Sequence, residues 1–347
     1  MHDGRRRIRN YMKHLQASKS FPLIYLAGIG FLLLASLLGI LLGATLLSLS
    51  ELLTGIISLG GGSPEAAIVW YVRFPRVAAS LLCGGALAVS GCLVQGVLAN
   101  RLASPSIIGV NSGAGLAVTL CCAMGVTGGW RLSLAAFIGA FGAVMAVSMG
   151  AKKWGASRGT VILMGVAMNS LLGAFSDVVT TLVPNVSIMR NDFRIGDFSG
   201  VTYPKLIPAA VVILSAFFVL QTLSNELDVL TLGDENARSL GMNTSVFRML
   251  FLILAAALAG AAVSVAGLLS FVGLLVPHTI RKIAGNEARH LIPLCALFGA
   301  GFVTLCDTLS RCLFAPYELP VGIIMAFLGS PFFLYILFKG KGGHRYA

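Results

Sequence analysis

SNELDVLTLGDENARSLGM, residues 224–242, is the longest polar interruption in the second half of an otherwise apolar sequence. It holds Glu226, Asp228, Asp234, Glu235 and Arg238, and apolar runs close in on both sides, near 205–223 and 245–266. Gly233-Asp234-Glu235 reads as a helix start, with two acids at the positive end of the helix dipole. Arg238 falls in the last turn, and Gly241 sits where a left-handed cap is wanted. The expectation is a helix of about two turns, held on one side of a membrane between longer apolar helices. Two readings stay open at this point: a docking element for a soluble partner, and a solvated loop.

The flanks set the class. The chain has 347 residues, of which 57% are hydrophobic and 11% charged, and its mean hydropathy is +0.89. A soluble domain carries about 25% charged residues. A membrane-spanning helix needs about 20 mainly apolar residues, and that rule finds about ten spans here. They lie near 21–47, 74–98, 107–126, 131–150, 160–183, 205–223, 245–266, 268–285, 290–313 and 319–338. The expected fold class is therefore all-α integral membrane. A transmembrane domain over 21–338 sits between a basic tail, 1–20, and a short tail, 339–347. The break near Gly267 is the softest, because 245–276 is almost continuously apolar. Pro184 to Pro204 is polar and has room for one short external helix. Gly109, Gly113 and Gly139 with Ala143 are small-residue sets that let helices approach closely in lipid.

Charge orients the bundle. Arg5, Arg6, Arg7, Arg9, Lys13 and Lys19 precede the first span, which is too long and too apolar for a cleaved signal. Further Lys and Arg follow the even-numbered spans, so that 18 of the 25 fall on one side. The positive-inside rule then puts both termini, and residues 224–242, in the cytoplasm. The formal charge of +12 is accounted for by these loops; the lipid bilayer, not nucleic acid, is the expected partner.

The seven cysteines lie in apolar runs with no C-x-x-C pair, and neither a phosphate loop nor an H-E-x-x-H motif is present. No cofactor, metal site or enzymatic activity is expected, so uphill transport would draw on an ion gradient or on a partner ATPase. Ion coupling needs ionisable groups at mid-membrane, and the intramembrane acids are Asp177 and Asp307. Arg311 follows Asp307 by four residues, the spacing of a local ion pair. Asp177 either lines a path or bonds a neighbouring helix. Arg73-Phe74-Pro75-Arg76 sits at the outer mouth of the second span, against the charge rule. An acidic partner and lipid headgroups are both open as its counterpart.

RFPRVAASLLCGGALAVSGCLVQGVLANRLASPSIIGVNSGAG (73–115) resembles the hallmark of the permease subunits of iron-chelate, haem and vitamin B12 ABC importers of type II. LTLGDENARSLGM (230–242) resembles their ATPase-coupling segment. GLLSFVGLLVPHTIRKIAG (267–285) and ELPVGIIMAFLGSPFFLYIL (318–337) resemble two further blocks of that family. One departure is Asn100-Arg101-Leu102-Ala103-Ser104-Pro105, where the family usually reads Asn-Pro-Leu-Ala-Asp-Pro. The resemblance implies a BtuC-like bundle of ten helices and a second permease copy. It also implies two ATP-binding subunits inside and a substrate-binding protein outside. By the same resemblance, Asp234, Glu235, Arg238 and Gly241 couple to the ATPase, and Arg73, Arg76 and Arg311 dock the binding protein. Ser157, Arg158, Gly159 and Thr160 fall at the inner gate. The implied cargo is an iron siderophore, with haem or cobalamin as the alternative; an ion-driven secondary transporter is the rival class.

Overall fold

A computed structural model describes residues 2–45, 48–58, 63–153 and 157–341. Residues 46–47 of the first expected span and 342–347 of the C-terminal tail lie outside the described residues. Helices follow one another along the chain, and no strand occurs among the described residues. The first part holds α1 (His2–Leu41), α2 (Leu49–Ile57), α3 (Pro64–Ala67), a π-helical stretch Ile68–Arg73, and α4 (Phe74–Leu98). After a 3-10 turn at Pro105–Ile108 come α5 (Val110–Ala123), α6 (Gly129–Lys153), α7 (Arg158–Leu182), α8 (Val186–Ile195) and α9 (Tyr203–Thr222). The last part holds α10 (Ser224–Thr231), α11 (Asp234–Ser239), α12 (Thr244–Ala266), α13 (Val272–Ala284), α14 (Ala288–Cys312) and α15 (Val321–Lys341).

Each of the ten expected spans is met by a helix: α1, α4, α5, α6, α7, α9, α12, α13, α14 and α15. Seven of these are long and apolar enough to cross a membrane. The other three, α5, α13 and the apolar part of α15 (Val321–Leu334), are shorter. The break after α12 falls at Gly267, whose φ of +70° ends the helix despite apolar sequence on both sides. The polar stretch before α9 contains α8, the short helix expected there. Residues 48–73 hold helices that the spans did not include. Ser48 and Glu51 form a reciprocal capping box at the start of α2. Ser63 caps α3 through the Ala66 N–H, and Pro64 takes the first turn, where its missing N–H costs nothing.

The core forms around α4, which is almost wholly buried against α12, α13 and α14. Its sequence allows this because small residues alternate along it: Ser80, Gly84, Ala88, Gly91 and Cys92. A Cβ on Gly91 would overlap the Gly273 carbonyl of α13. Between lipid-embedded helices the attraction comes from close contact rather than from expulsion of water, so the missing side chain is what permits the packing. The small-residue pair on α5 and α6 works the same way: a Cβ on Gly113 would overlap the Gly139 carbonyl. Polar ties fasten these contacts, with Ser90 Oγ donating to the Ala255 carbonyl at 2.7 Å and Gln95 Nε2 to the Gly273 carbonyl at 3.0 Å. By helix geometry, the rise along α4 from Arg76 to Gln95 is about 29 Å. Arg76 and Gln95 therefore mark opposite ends of the bundle. The Gln95 end carries α10, since Gly96 faces Leu227.

Candidate functional site

The polar segment 224–242 folds as two helices, α10 and α11, rather than as an open loop. Gly233 (φ +107°) and Gly241 (φ +82°) bracket α11, and both adopt backbone that a side chain would strain. Gly241 thus takes the left-handed cap that its place in the sequence implies. Ala237 is the buried residue of α11. Glu235, Arg238 and Ser239 face outward, flanked by Leu232 (58% exposed) and Leu240 (65% exposed).

Asp234 points back into the chain. One nitrogen of Arg248, in the first turns of α12, lies 2.7 Å from each oxygen of the Asp234 carboxylate. Arg158, the first residue of α7, places Nη2 3.5 Å from Asp234 Oδ1 and donates to the Leu230 carbonyl at 3.1 Å. Burial alone would raise the Asp234 pKa. The Arg248 hydrogen bond and the charges of Arg248, Arg158 and Arg238 outweigh it and hold the carboxyl below its ordinary value. Asp228 also turns inward, accepting from the Ala288 N–H at 2.9 Å and so capping α14. Burial raises its pKa above the usual carboxylate range, against that hydrogen bond. Ser157 caps α7: its Oγ accepts from the Thr160 N–H at 3.1 Å and lies 2.8 Å from Thr160 Oγ1. Gly159 is exposed beside it. The structure thus joins two groups of residues that the sequence kept apart, the polar segment 224–242 and the start of α7. Neither Arg158 nor Arg248 has a sequence signal that names Asp234 as its partner.

At the opposite end, Arg73, Arg76 and Arg311 are all buried. Arg76 Nε donates to Asp307 at 3.0 Å, Nη1 donates to Glu318 at 2.6 Å, and Nη2 lies 3.7 Å from Asp197. Arg311 Nε lies 3.2 Å from Asp307 Oδ2, the expected four-residue pair, and its other nitrogens donate to the Leu42 and Gly39 carbonyls at 3.1 Å. Arg73 donates to the carbonyls of Ile40, Leu41 and Thr45 at 2.6–2.9 Å. These guanidinium groups lie inside the chain instead of presenting themselves at its rim. The reason is that a planar five-donor fork satisfies several acceptors at once: carbonyls at and after the end of α1 for Arg73 and Arg311, and carboxylates for Arg76. Asp307 is fully enclosed between Arg76 and Arg311. Asp177 is 70% exposed and pairs with Arg190 of α8 at 2.8 Å, which makes it a bond to a neighbouring helix.

Between the two ends runs α7, whose most apolar window is only 17% buried. Leu163, Leu171, Phe175 and Val178 on it are exposed. Asn169 fastens its middle, accepting from Ser112 Oγ at 2.6 Å and donating to the Ser106 carbonyl at 2.9 Å. In the departing turn, Asn100 Oδ1 accepts from the Leu102 N–H at 2.9 Å, so an Asx turn shapes it without the family's proline. Among the described residues, no group of three or more His, Cys, Asp or Glu is placed to hold a metal ion.

Such a bundle, helical throughout its described residues and with seven helices long and apolar enough to cross a membrane, defines a multi-pass membrane protein. Residues 31–339 match the family model described as the FecCD transport family. The iron-uptake system permease protein FeuB of Bacillus subtilis (strain 168) is 34% identical over 324 residues, covering 90% of this chain and 94% of its own. The hemin transport system permease protein HmuU of Yersinia pestis is 36% identical over 281 residues, covering 79% of this chain and 84% of its own. A solved structure described as an inward-facing metal-chelate type ABC transporter superposes with a TM-score of 0.74 at 28% identity. That likeness covers 83% of this chain and 96% of the other. The chain belongs to the FecCD transport family, and it is an ABC importer permease.

Proposed function

We propose that this chain is the permease half of an ATP-driven importer that brings an iron–siderophore complex inward across the cytoplasmic membrane. Both termini and α11 face the cytoplasm, where two ATP-binding subunits dock. A second permease copy covers the exposed apolar face of α7, and an extracytoplasmic binding protein delivers the cargo at the Arg76 end. Arg73, Arg76 and Arg311 shape that mouth from beneath, because their guanidinium groups are committed internally.

The observation that carries the reading is the outward face of α11. Glu235 and Arg238 are exposed on it, and exposed Leu232 and Leu240 stand just before and just after the helix. Apolar side chains standing clear of the bundle beside charged ones suit a protein partner better than lipid. An ion relay draws less support, since Asp307 is locked between two arginines and Asp177 is paired with Arg190. Similar identity to an iron-uptake permease and to a hemin permease leaves the cargo class wide, and an iron siderophore is the reading we take within it.

Uptake of radiolabelled ferric siderophores, haemin and cobalamin in a deletion strain carrying this chain tests the cargo. Glu235→Arg and Arg238→Glu test the docking face. Each is expected to insert normally and to abolish most ATP-dependent uptake. Full uptake by both variants would remove the docking role from α11.

A further inference from the structure

Asp234 is held by two arginines that differ in kind. Arg248 sits on α12, its side chain is 5% exposed, and its nitrogen spans both carboxylate oxygens at 2.7 Å. Arg158 opens α7, its side chain is 23% exposed, and its contact with Asp234 is 3.5 Å. Arg158 also donates to the Leu230 carbonyl on α10 at 3.1 Å, so it keeps a partner when Asp234 moves away. The Arg248 contact is the shorter of the two and lies deeper in the chain. A strong, buried pair and a long, half-exposed pair therefore share one carboxylate, and the long one separates more readily.

The elements so joined are informative. Asp234 is the first residue of α11, next to the outward-facing Glu235. Arg158 is the first residue of α7, a long span of 25 residues. We propose that Asp234 is a shared anchor: Arg248 bolts α11 to α12, and Arg158 is the releasable contact through which displacement of α11 reaches α7. Arg158 is a positioning residue in this scheme; it touches neither cargo nor nucleotide. The inference rests on the reading of α11 as the ATPase-docking helix, and deepens it by naming the next link.

The test uses the assembled transporter purified with its ATPase. Cys312, which is exposed, and Cys121, which is half-buried, are replaced by Ser. Gly159, exposed in the first turn of α7 with room for a side chain, is replaced by Cys as a reporter of maleimide labelling with and without ATP. In this parent, ATP is expected to change the labelling rate. Arg158→Gln should shrink that change about tenfold, a typical size for one coupling contact, while ATPase co-purification and ATP hydrolysis stay as in the parent. Arg158→Lys should restore most of it, because the charge returns at a similar reach. A purely structural role would instead lower assembly and thermal stability together. An undiminished ATP effect in Arg158→Gln overturns the proposal, and so does a parent with bound ATPase whose reporter ignores ATP. A parent that captures no ATPase sinks the docking reading itself, and this inference with it.

Discussion

The two ends of the bundle use the same chemistry to opposite purpose. At the Arg76 end, Asp307 is buried without exposure between two arginines, and Arg73 and Arg311 spend their remaining donors on helix-end carbonyls. At the α11 end, Asp234 also meets two arginines, but it remains a third exposed and one of its contacts is long. Burial makes the first arrangement costly to break, since removing one partner leaves an uncompensated charge in a low-dielectric interior. Water at the second lets charge be exchanged at little cost. One end holds its charges away from water, and the other keeps its shared carboxylate partly within water's reach.

The largest expected effect falls where burial is complete. Asp307→Ala leaves Arg311 buried with carbonyl partners but no carboxylate, while Arg76 keeps Glu318; a loss of about 3–5 kcal/mol is expected, read as a fall in the thermal unfolding midpoint of the detergent-purified permease. A midpoint equal to that of the parent would break the comparison, because the two clusters would then be equally loose. Arg248→Gln comes next. It removes charge-assisted hydrogen bonds worth about 1.5–3 kcal/mol, and should detach the start of α11 from α12. Limited proteolysis within 224–242, faster in the variant than in the parent, would report that detachment. Equal cleavage would make Arg248 no stronger an anchor than Arg158 and erase the distinction between bolt and releasable contact.

How much of this was legible without coordinates follows from what kind of information each feature needs. The spans were legible because twenty apolar residues in a row have few other uses, whereas the break near Gly267 was soft, because the apolar run is continuous there and the φ that ends the helix shows only in the structure. The pair Asp307–Arg311 was legible because four residues is one helical turn. The partner Arg76 was not, since it lies 231 residues away and nothing local points to it. The same holds for Asp234 with Arg158 and Arg248. Arg73 and Arg76, placed against the charge rule, read as rim residues, yet Arg73 is held by carbonyls at the end of α1 and just after it, and Arg76 by Asp307 and Glu318. The helices of 48–73 did have a signal, Ser48-x-x-Glu51, and were overlooked because they are too short to register as spans.

The smallest effect sharpens the comparison at the site where movement is proposed to arrive. Ser157 Oγ satisfies the Thr160 N–H, one of the donors that a helix start leaves without an intrahelical partner. Ser157→Ala removes that acceptor, and such a cap is worth about 1 kcal/mol. Because Ser157 is exposed, water replaces the lost bond and the bundle as a whole should keep its unfolding midpoint. The loss should appear locally instead, as about fivefold faster amide exchange at Thr160, which is what 1 kcal/mol amounts to near room temperature. Exchange in the middle of α7, where Asn169 is tied to Ser106 and Ser112, should not change. If the whole of α7 exchanged faster, its first turn would be holding the helix in place rather than forming its loose end. The α11 end would then be as rigid as the Arg76 end.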